Sequence, residues 1–349
     1  MPYRDLPPEA FWKSCREADD FRLGDIYKPC FTLAPTDRIA TAGSCFAQNI
    51  SRYLRRSNLT FHEVEATPRG MPQSVAERFG YGLYSARYGN VYTARQLRQL
   101  IEDAESAEVR QSAIWQKGAR WFDALRPGVE PEGLSSVEEV AMHRFDHLRY
   151  VRQMIETMDV FVFTLGLTEA WVDKVSGHVF PSVPGVIAGE FDADRYEFVN
   201  FSFADVLEDL ESTIARLRHF QPELRVILTV SPVPLTATAT GQHVLSATTY
   251  SKSVLRAVAG EMAEKDPLID YFPSYEMVAG LPFGQENYTE NLRNVSPKAV
   301  ARVMDVFFTA HGAELQAKAP EPLKLPLQSA DAEGDDVCEE ALLEAFAGE

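Results

Sequence analysis

The stretch RIATAGSCFAQNISRYL, residues 38–54, sets a short apolar run against a helical pattern, with a Gly-Ser-Cys turn between them. Residues 37–43 (DRIATAG) read as a first strand. Phe46, Ile50 and Leu54 then recur at i, i+4 and i+8, one face of a helix. The turn therefore joins a strand to a helix, and Cys45 stands at the mouth of that helix. Two roles stay open for it. An isolated cysteine is commonly a small buried packing residue. At a helix N-terminus, unpaired N–H groups and a partial positive charge instead favour a thiolate and bind a developing oxyanion. Gly43 lets the chain turn sharply there.

The strand-then-helix pattern recurs along the chain. Residues 60–66 alternate like a second strand, and Thr93 is placed to cap a helix through ARQLRQLIEDA. Residues 113–124 predict a hairpin turning at Lys117-Gly118, followed by a long helix from Ser136 to Met158. Residues 159–166 (DVFVFTLG) form a continuous apolar run, expected of a buried central strand. A hairpin is expected at 171–182, and Ser202 with Asp205 resembles a capping box for a helix to Phe220. Residues 225–231 predict another buried strand, Tyr250 to Lys265 a helix, 268–274 a last strand, and Ser296-Pro297 the start of a final helix. Short strands alternating with helices predict an α/β protein with a mostly parallel sheet.

The 349 residues, 45% hydrophobic, suffice for one large α/β domain or two modest ones. We expect an N-terminal extension over 1–36 packed on an α/β domain over 37–318. Residues 319–349 read as an acidic, proline-rich, flexible tail, in which 337–346 either form a short helix or fray. A net charge of −17 repels phosphate backbones and argues against nucleic acid. No run of 18 apolar residues predicts a membrane span, and MPYRDLPPEAFWKS lacks the apolar core of a signal peptide. Cys15, Cys30, Cys45 and Cys338 show no metal spacing, which suits free thiols in a cytoplasmic setting.

Ligands of open parallel sheets bind beyond the carboxyl ends of the strands. Four such ends carry small, hydroxyl, thiol or carboxylate groups here: Gly43-Ser44-Cys45, GLTEAW (166–171), SPVPLTAT after 230, and PSYE after Phe272. One shared site is expected there.

GSCFA (43–47) resembles the signature of the GSCFA family, and TLGLTEAW (164–171), TVSPVPL (229–235) and YSKSVLRA (250–257) resemble further segments of it. The resemblance covers about 40–310. That family is similar to the SGNH/GDSL hydrolases, which implies a three-layer α/β/α flavodoxin-like fold with inserted hairpins. Laid over the SGNH Gly-Asp-Ser, Gly43 matches the glycine, Ser44 the aspartate and Cys45 the nucleophile; a register one residue earlier promotes Ser44. Cys45 is preferred, because a thiol yields appreciable thiolate near neutrality. In place of the SGNH Gly-x-Asn-Asp block stand Gly166, Thr168 and Glu169, with the threonine hydroxyl as the implied oxyanion donor. The implied Asp-x-x-His dyad is replaced by Asn291 and Asn294, neither of which accepts a proton.

Three explanations remain: a base from elsewhere, a thiolate that needs none, or a binding module without catalysis. His243, in the loop after the 225–231 strand, is the first substitute base, with a solvated loop residue as its other reading; His178 in the hairpin is the second. Glu169 either orients that base or caps a turn. Ser231 joins the site from its strand end. Lys252 and Arg256, at i and i+4, hold an anionic substrate group or lie solvated. His143 and His147 have zinc-like i, i+4 spacing, but without a third ligand a surface pair is expected. The expected function is acyl transfer by an SGNH-like esterase or acyltransferase. Its substrate is a small molecule: an acylated sugar, a polysaccharide precursor or a thioester. No cofactor and no metal are implied, and an oligomer stays open. The alternative is a non-catalytic ligand-binding module on the same fold. A nucleotide-binding protein is disfavoured, because no glycine-rich phosphate loop is present.

Overall fold

Apolar runs of five or six residues have no polar face to offer water, so they pack in the middle of the structure with helices on either side. The computed structural model describes residues 1–15, 22–315 and 339–346. Its strands are β1 (Arg38–Gly43), β2 (Thr60–Phe61), β3 (Ile114–Lys117), β4 (Arg120–Asp123), β5 (Val160–Leu165), β6 (Glu169–Asp173), β7 (Val179–Phe180), β8 (Tyr196–Asn200), β9 (Arg225–Val230) and β10 (Ile269–Phe272). Its helices are α1 (Ala47–Leu54), α2 (Gln73–Arg78), α3 (Ala94–Ser106), α4 (Val137–Thr157), α5 (Phe203–Phe220), α6 (Val244–Lys265), α7 (Ser274–Ala279) and α8 (Pro297–Ala310).

Five strands form one parallel sheet in the order β10-β9-β5-β1-β2. Side chains alternate faces along a strand, and the two faces bury different clusters. Phe161, Phe163 and Leu165 of β5 join Ala40, Ala42, Val226, Leu228 and Val230 beneath α3, α4, α5 and α6. Val160 and Val162 join Ile39 and Ile227 beneath α1, α7 and α8. Each fully buried Val, Leu or Phe contributes about 1.5–3 kcal/mol.

Capping follows the sequence closely. Thr93, Ser136, Ser202 and Ser296 each accept the backbone N–H three residues on, and Ser202 with Asp205 completes a capping box. Three elements differ from expectation. β2 stops at Phe61, because Val64 turns to the Ser85 carbonyl. The hairpin at 171–182 gains a third strand, β8, antiparallel to β6. Helix α6 starts at Val244 rather than Tyr250, since the His243 imidazole accepts the Leu245 N–H and caps it.

Within the expected extension, Leu33 and Tyr27 are buried in the second cluster. The Tyr27 hydroxyl donates to Asp270 at 2.7 Å. Cys338 and most of the expected tail lie outside the described residues; Glu339–Phe346 form 3-10 turns, and Glu339 is buried rather than frayed.

Between α3, α4 and the loop before α3 lies a buried ionic network. His147 is fully buried, not at the surface as expected; its Nδ1 is 2.8 Å from Glu65 Oε2. Arg87 and Arg126 flank Glu65, while Arg126 and Arg144 flank Asp123. Arg144, Arg110 and His178 flank Asp103. Burial pushes His147 down to about 4, helped by Arg126 and opposed by Glu65. Burial alone would raise Glu65, but His147, Arg126 and the Arg87 N–H hold it at about 2.

Candidate functional site

Counted in chain order, the sheet strands run 2-1-3-4-5, so the winding reverses between β1 and β5. A crevice opens outside the carboxyl ends of two strands whose connections leave to opposite faces. β1 delivers Gly43-Ser44-Cys45 to that crevice, and β5 delivers Gly166 beside it.

Both glycines are dictated by proximity. Gly43 has φ +142°, and a Cβ there would lie 2.5 Å from the Thr164 carbonyl oxygen. At Gly166 a Cβ would lie 3.0 Å from both the Ser44 Cβ and the Tyr92 carbonyl oxygen. The chain thus passes from β1 into the first helical turn with Ser44 pressed on β5. The Ser44 N–H donates to the Thr164 carbonyl, and the turn opens with bonds from Ala47 to Ser44 and Gln48 to Cys45. Cys45 is buried at 5% exposure.

Ser44, Cys45, Gly166, Ser231 and Lys252 line one small cavity, with Tyr92, Leu167 and Leu235 among its other walls. Three of the four expected strand ends therefore converge; the end of β10 does not line this cavity, its Ser274 hydroxyl being bonded to Thr229 and the Val230 carbonyl and its Glu276 to Arg256. The Ser231 N–H is held by the Leu165 carbonyl at 2.8 Å. Lys252 is 2% exposed, and its Nζ donates to the Gly166 carbonyl at 2.5 Å. Tyr92, Leu167 and Leu235 also wall a second, larger cavity. Trp171, Phe180, Phe198, Val183 and Leu343 make that space largely apolar, and Glu169 is the carboxylate facing it. Burial raises the Glu169 pKa, against the Thr238 hydroxyl that donates to its Oε1 at 2.8 Å.

Other expected members are placed elsewhere. His243 is exposed and spent on its helix cap, so it lines neither cavity. His178 faces Asp103, 3.9 Å away, in a separate cavity with Arg144 and Gln96. Arg256 is bound to Glu276 and stacks 4.0 Å over Tyr271. The Thr168 hydroxyl donates to Asn200 at 2.7 Å, which removes it as an oxyanion donor. Asn291 is exposed and accepts the Arg293 and Asn294 N–H groups, so this pair builds a turn rather than a dyad.

Sequence reasoning missed Asn90 and Tyr92. The Tyr92 carbonyl accepts both the Gly166 and Leu167 N–H groups and ties its loop to the end of β5. Gln48 and the Tyr84 hydroxyl donate to Asn90 Oδ1, and the Tyr84 hydroxyl also reaches the Ser44 carbonyl at 3.1 Å. The available signal was YGNVY (88–92), a Gly-Asn turn among aromatics with no regular period.

A family model described as the GSCFA family matches residues 38–307. No curated protein matches the chain. A chain in a solved crystal structure is similar at 14% identity over 46% of this chain and 68% of that one, with a TM-score of 0.25, too slight a likeness to bear on fold. Among the described residues no helix is long and apolar enough to cross a membrane, and no three His, Cys, Asp or Glu side chains group as metal ligands.

Proposed function

The chain belongs to the GSCFA family, and from the site just described we propose that it is an SGNH-like acyl-transfer enzyme with Cys45 as nucleophile and Lys252 as its charge partner. The reading takes the 2-1-3-4-5 sheet as flavodoxin-like. The observation that carries it is the convergence of Cys45 and a buried lysine in one cavity at the point where the winding reverses. In this reading Lys252 takes the part of the base that the sequence left to a histidine, and the Gly166 carbonyl holds its ammonium at the cavity wall.

In this reading the Cys45 thiolate adds to an acyl carbonyl carbon, and a C–S bond forms as the bond to the leaving alcohol or thiol breaks. Lys252 stabilises the thiolate beforehand and protonates the leaving group. N–H groups of the first turn after β1 receive the oxyanion. Water or an acceptor hydroxyl then cleaves the thioester and restores Cys45. The apolar cavity beside it accommodates the acyl group, with an acylated sugar, polysaccharide precursor or thioester as substrate class.

The test is turnover of aryl esters and acyl thioesters by wild type, Cys45→Ala and Ser44→Ala, with mass spectrometry of the Cys45 peptide. We expect an acyl adduct on Cys45 and turnover at background in Cys45→Ala. Unchanged turnover in Cys45→Ala overturns the assignment. A second reading, a ligand-binding module without turnover, is favoured by one observation: no histidine lines either cavity among the described residues.

A further inference from the structure

Glu339 is 6% exposed although it stands in the acidic C-terminal segment. Its Oε2 accepts the Tyr92 hydroxyl at 2.9 Å and the Asn90 side-chain amide. The niche is organised from behind. Asn90 Oδ1 is engaged by Gln48 and Tyr84, so its Nδ2 is turned outward as a donor. Gln48, Tyr84, Asn90 and Tyr92 are all nearly fully buried. Glycines leave the room: a Cβ on Gly128 would lie 3.0 Å from Glu339 Oε1, and one on Gly89 3.7 Å from it. Four residues on, Leu343 enters the wall of the apolar cavity that Tyr92 also lines. Donors fixed by buried partners, with space kept by glycine, make a site for a carboxylate.

We propose that Asn90 and Tyr92 form a carboxylate subsite beside the Cys45 cavity, that Glu339–Phe346 occupies it as a stand-in for the ligand, and that the ligand joins a carboxylate to an apolar body. Glu339 marks the place of the ligand's carboxylate, and Leu343 the cavity its apolar part fills. The segment and the ligand compete, so the chain's own carboxylate lowers the apparent affinity for a free one. This deepens the reading above by naming the substrate class at the same site, and only the direction of the ligand's reacting end rests on that reading.

The experiment is calorimetric titration of the full chain with sodium octanoate and, separately, with 1-octanol. We expect Glu339→Ala to bind octanoate at least about tenfold more tightly than wild type, roughly the 1.4 kcal/mol of one hydrogen-bonded carboxylate contact. The gain is lost when Tyr92→Phe is added, and octanol shows none of it. In wild type, saturating octanoate should speed amide exchange across 339–346. Equal octanoate affinity in wild type and Glu339→Ala, or an equal gain for octanol, overturns the proposal. Thermal melts of each variant confirm that a folded chain is compared. Because binding is read without turnover, failure of Cys45 as nucleophile leaves this result standing.

Discussion

Two of the regions in which this molecule buries charge do so differently. The network around Glu65, Asp103 and Asp123 sets carboxylates against Arg87, Arg110, Arg126 and Arg144, with His147 and His178 at its edges. The crevice at the end of β1 instead holds Lys252 against a backbone carbonyl, in a cavity shared with a thiol. In the first, charges are neutralised by neighbours of fixed geometry, which ties α3 and α4 to the loops beside them. In the second, an ammonium held by a backbone carbonyl lines a cavity. Burial by itself therefore does not separate the two; the cavity beside the charge does. The two histidines with the most suggestive burial belong to the first region.

The sharpest way to break this contrast is to exchange the two effects. Lys252→Met should lower thioester turnover by about 10²–10⁴-fold, the usual span for a positioned proton donor, while urea denaturation shows stability little changed, since an apolar side chain of similar volume fills the site. Glu65→Gln should do the reverse. It leaves Arg126 and His147 short of a partner and costs about 3–5 kcal/mol in stability, with turnover per folded molecule unaltered. If Lys252→Met lowers stability by several kcal/mol while turnover per folded molecule is unchanged, the crevice is structural and the contrast fails.

Acid should expose the network next. His147 is held at about 4 against an ordinary 6.5, so below 6.5 the unfolded chain takes a proton that the folded one refuses. Its contribution is complete above pH 6.5 and is lost as the pH falls toward 4. Glu65, held at about 2, adds a further loss as the pH falls below its ordinary 4.5. Melting temperatures should therefore decline from pH 7 to pH 4. His147→Gln should flatten that slope, and Cys45→Ala should leave it as in wild type. A smaller change tests the scaffold apart from both regions. Ser202→Ala removes the capping box of α5 and should cost about 1 kcal/mol, with no change in turnover or in the acid slope.

Much of this was legible in the chain. β5 and β9 announce themselves as unbroken apolar runs, and four helix starts are marked by Thr93, Ser136, Ser202 and Ser296. The convergence of Gly43, Gly166 and Ser231 followed from their places at strand ends. The residues around Cys45 were harder to read. Lys252 reads as one half of an i, i+4 pair with Arg256 that either holds an anionic group or lies solvated, because helical spacing does not tell which residue lies under a strand end. Four residues carry α6 round by little more than one turn, yet Lys252 reaches Gly166 and Arg256 reaches Glu276. His243 and His178 drew notice by residue type and by their place in segments beyond the strand ends, and a helix cap and the Asp103 carboxylate claimed them. Asn90 and Tyr92 sit in a loop without period, where only tertiary contacts assign a role.

The two-residue β2 has a consequence for association between molecules. It pairs only with Arg38 and Ile39, which leaves the outer edge of β1 uncovered by any strand from Ala40 onward. The segment 85–91 seals it. The Ser85 hydroxyl accepts the Thr41 N–H, the Ser85 N–H and Tyr88 hydroxyl donate to the Thr41 carbonyl, and Val91 donates to Gly43. An unsealed edge is a template for strand addition from another chain, the first step of aggregation. The same loop that brings Asn90 and Tyr92 to the crevice thus closes the sheet to intermolecular pairing. Loosening it, whether by mutation or by a ligand that draws Tyr92 away, would uncover a self-complementary β edge, so the cost of mobility at this site would be measured in solubility.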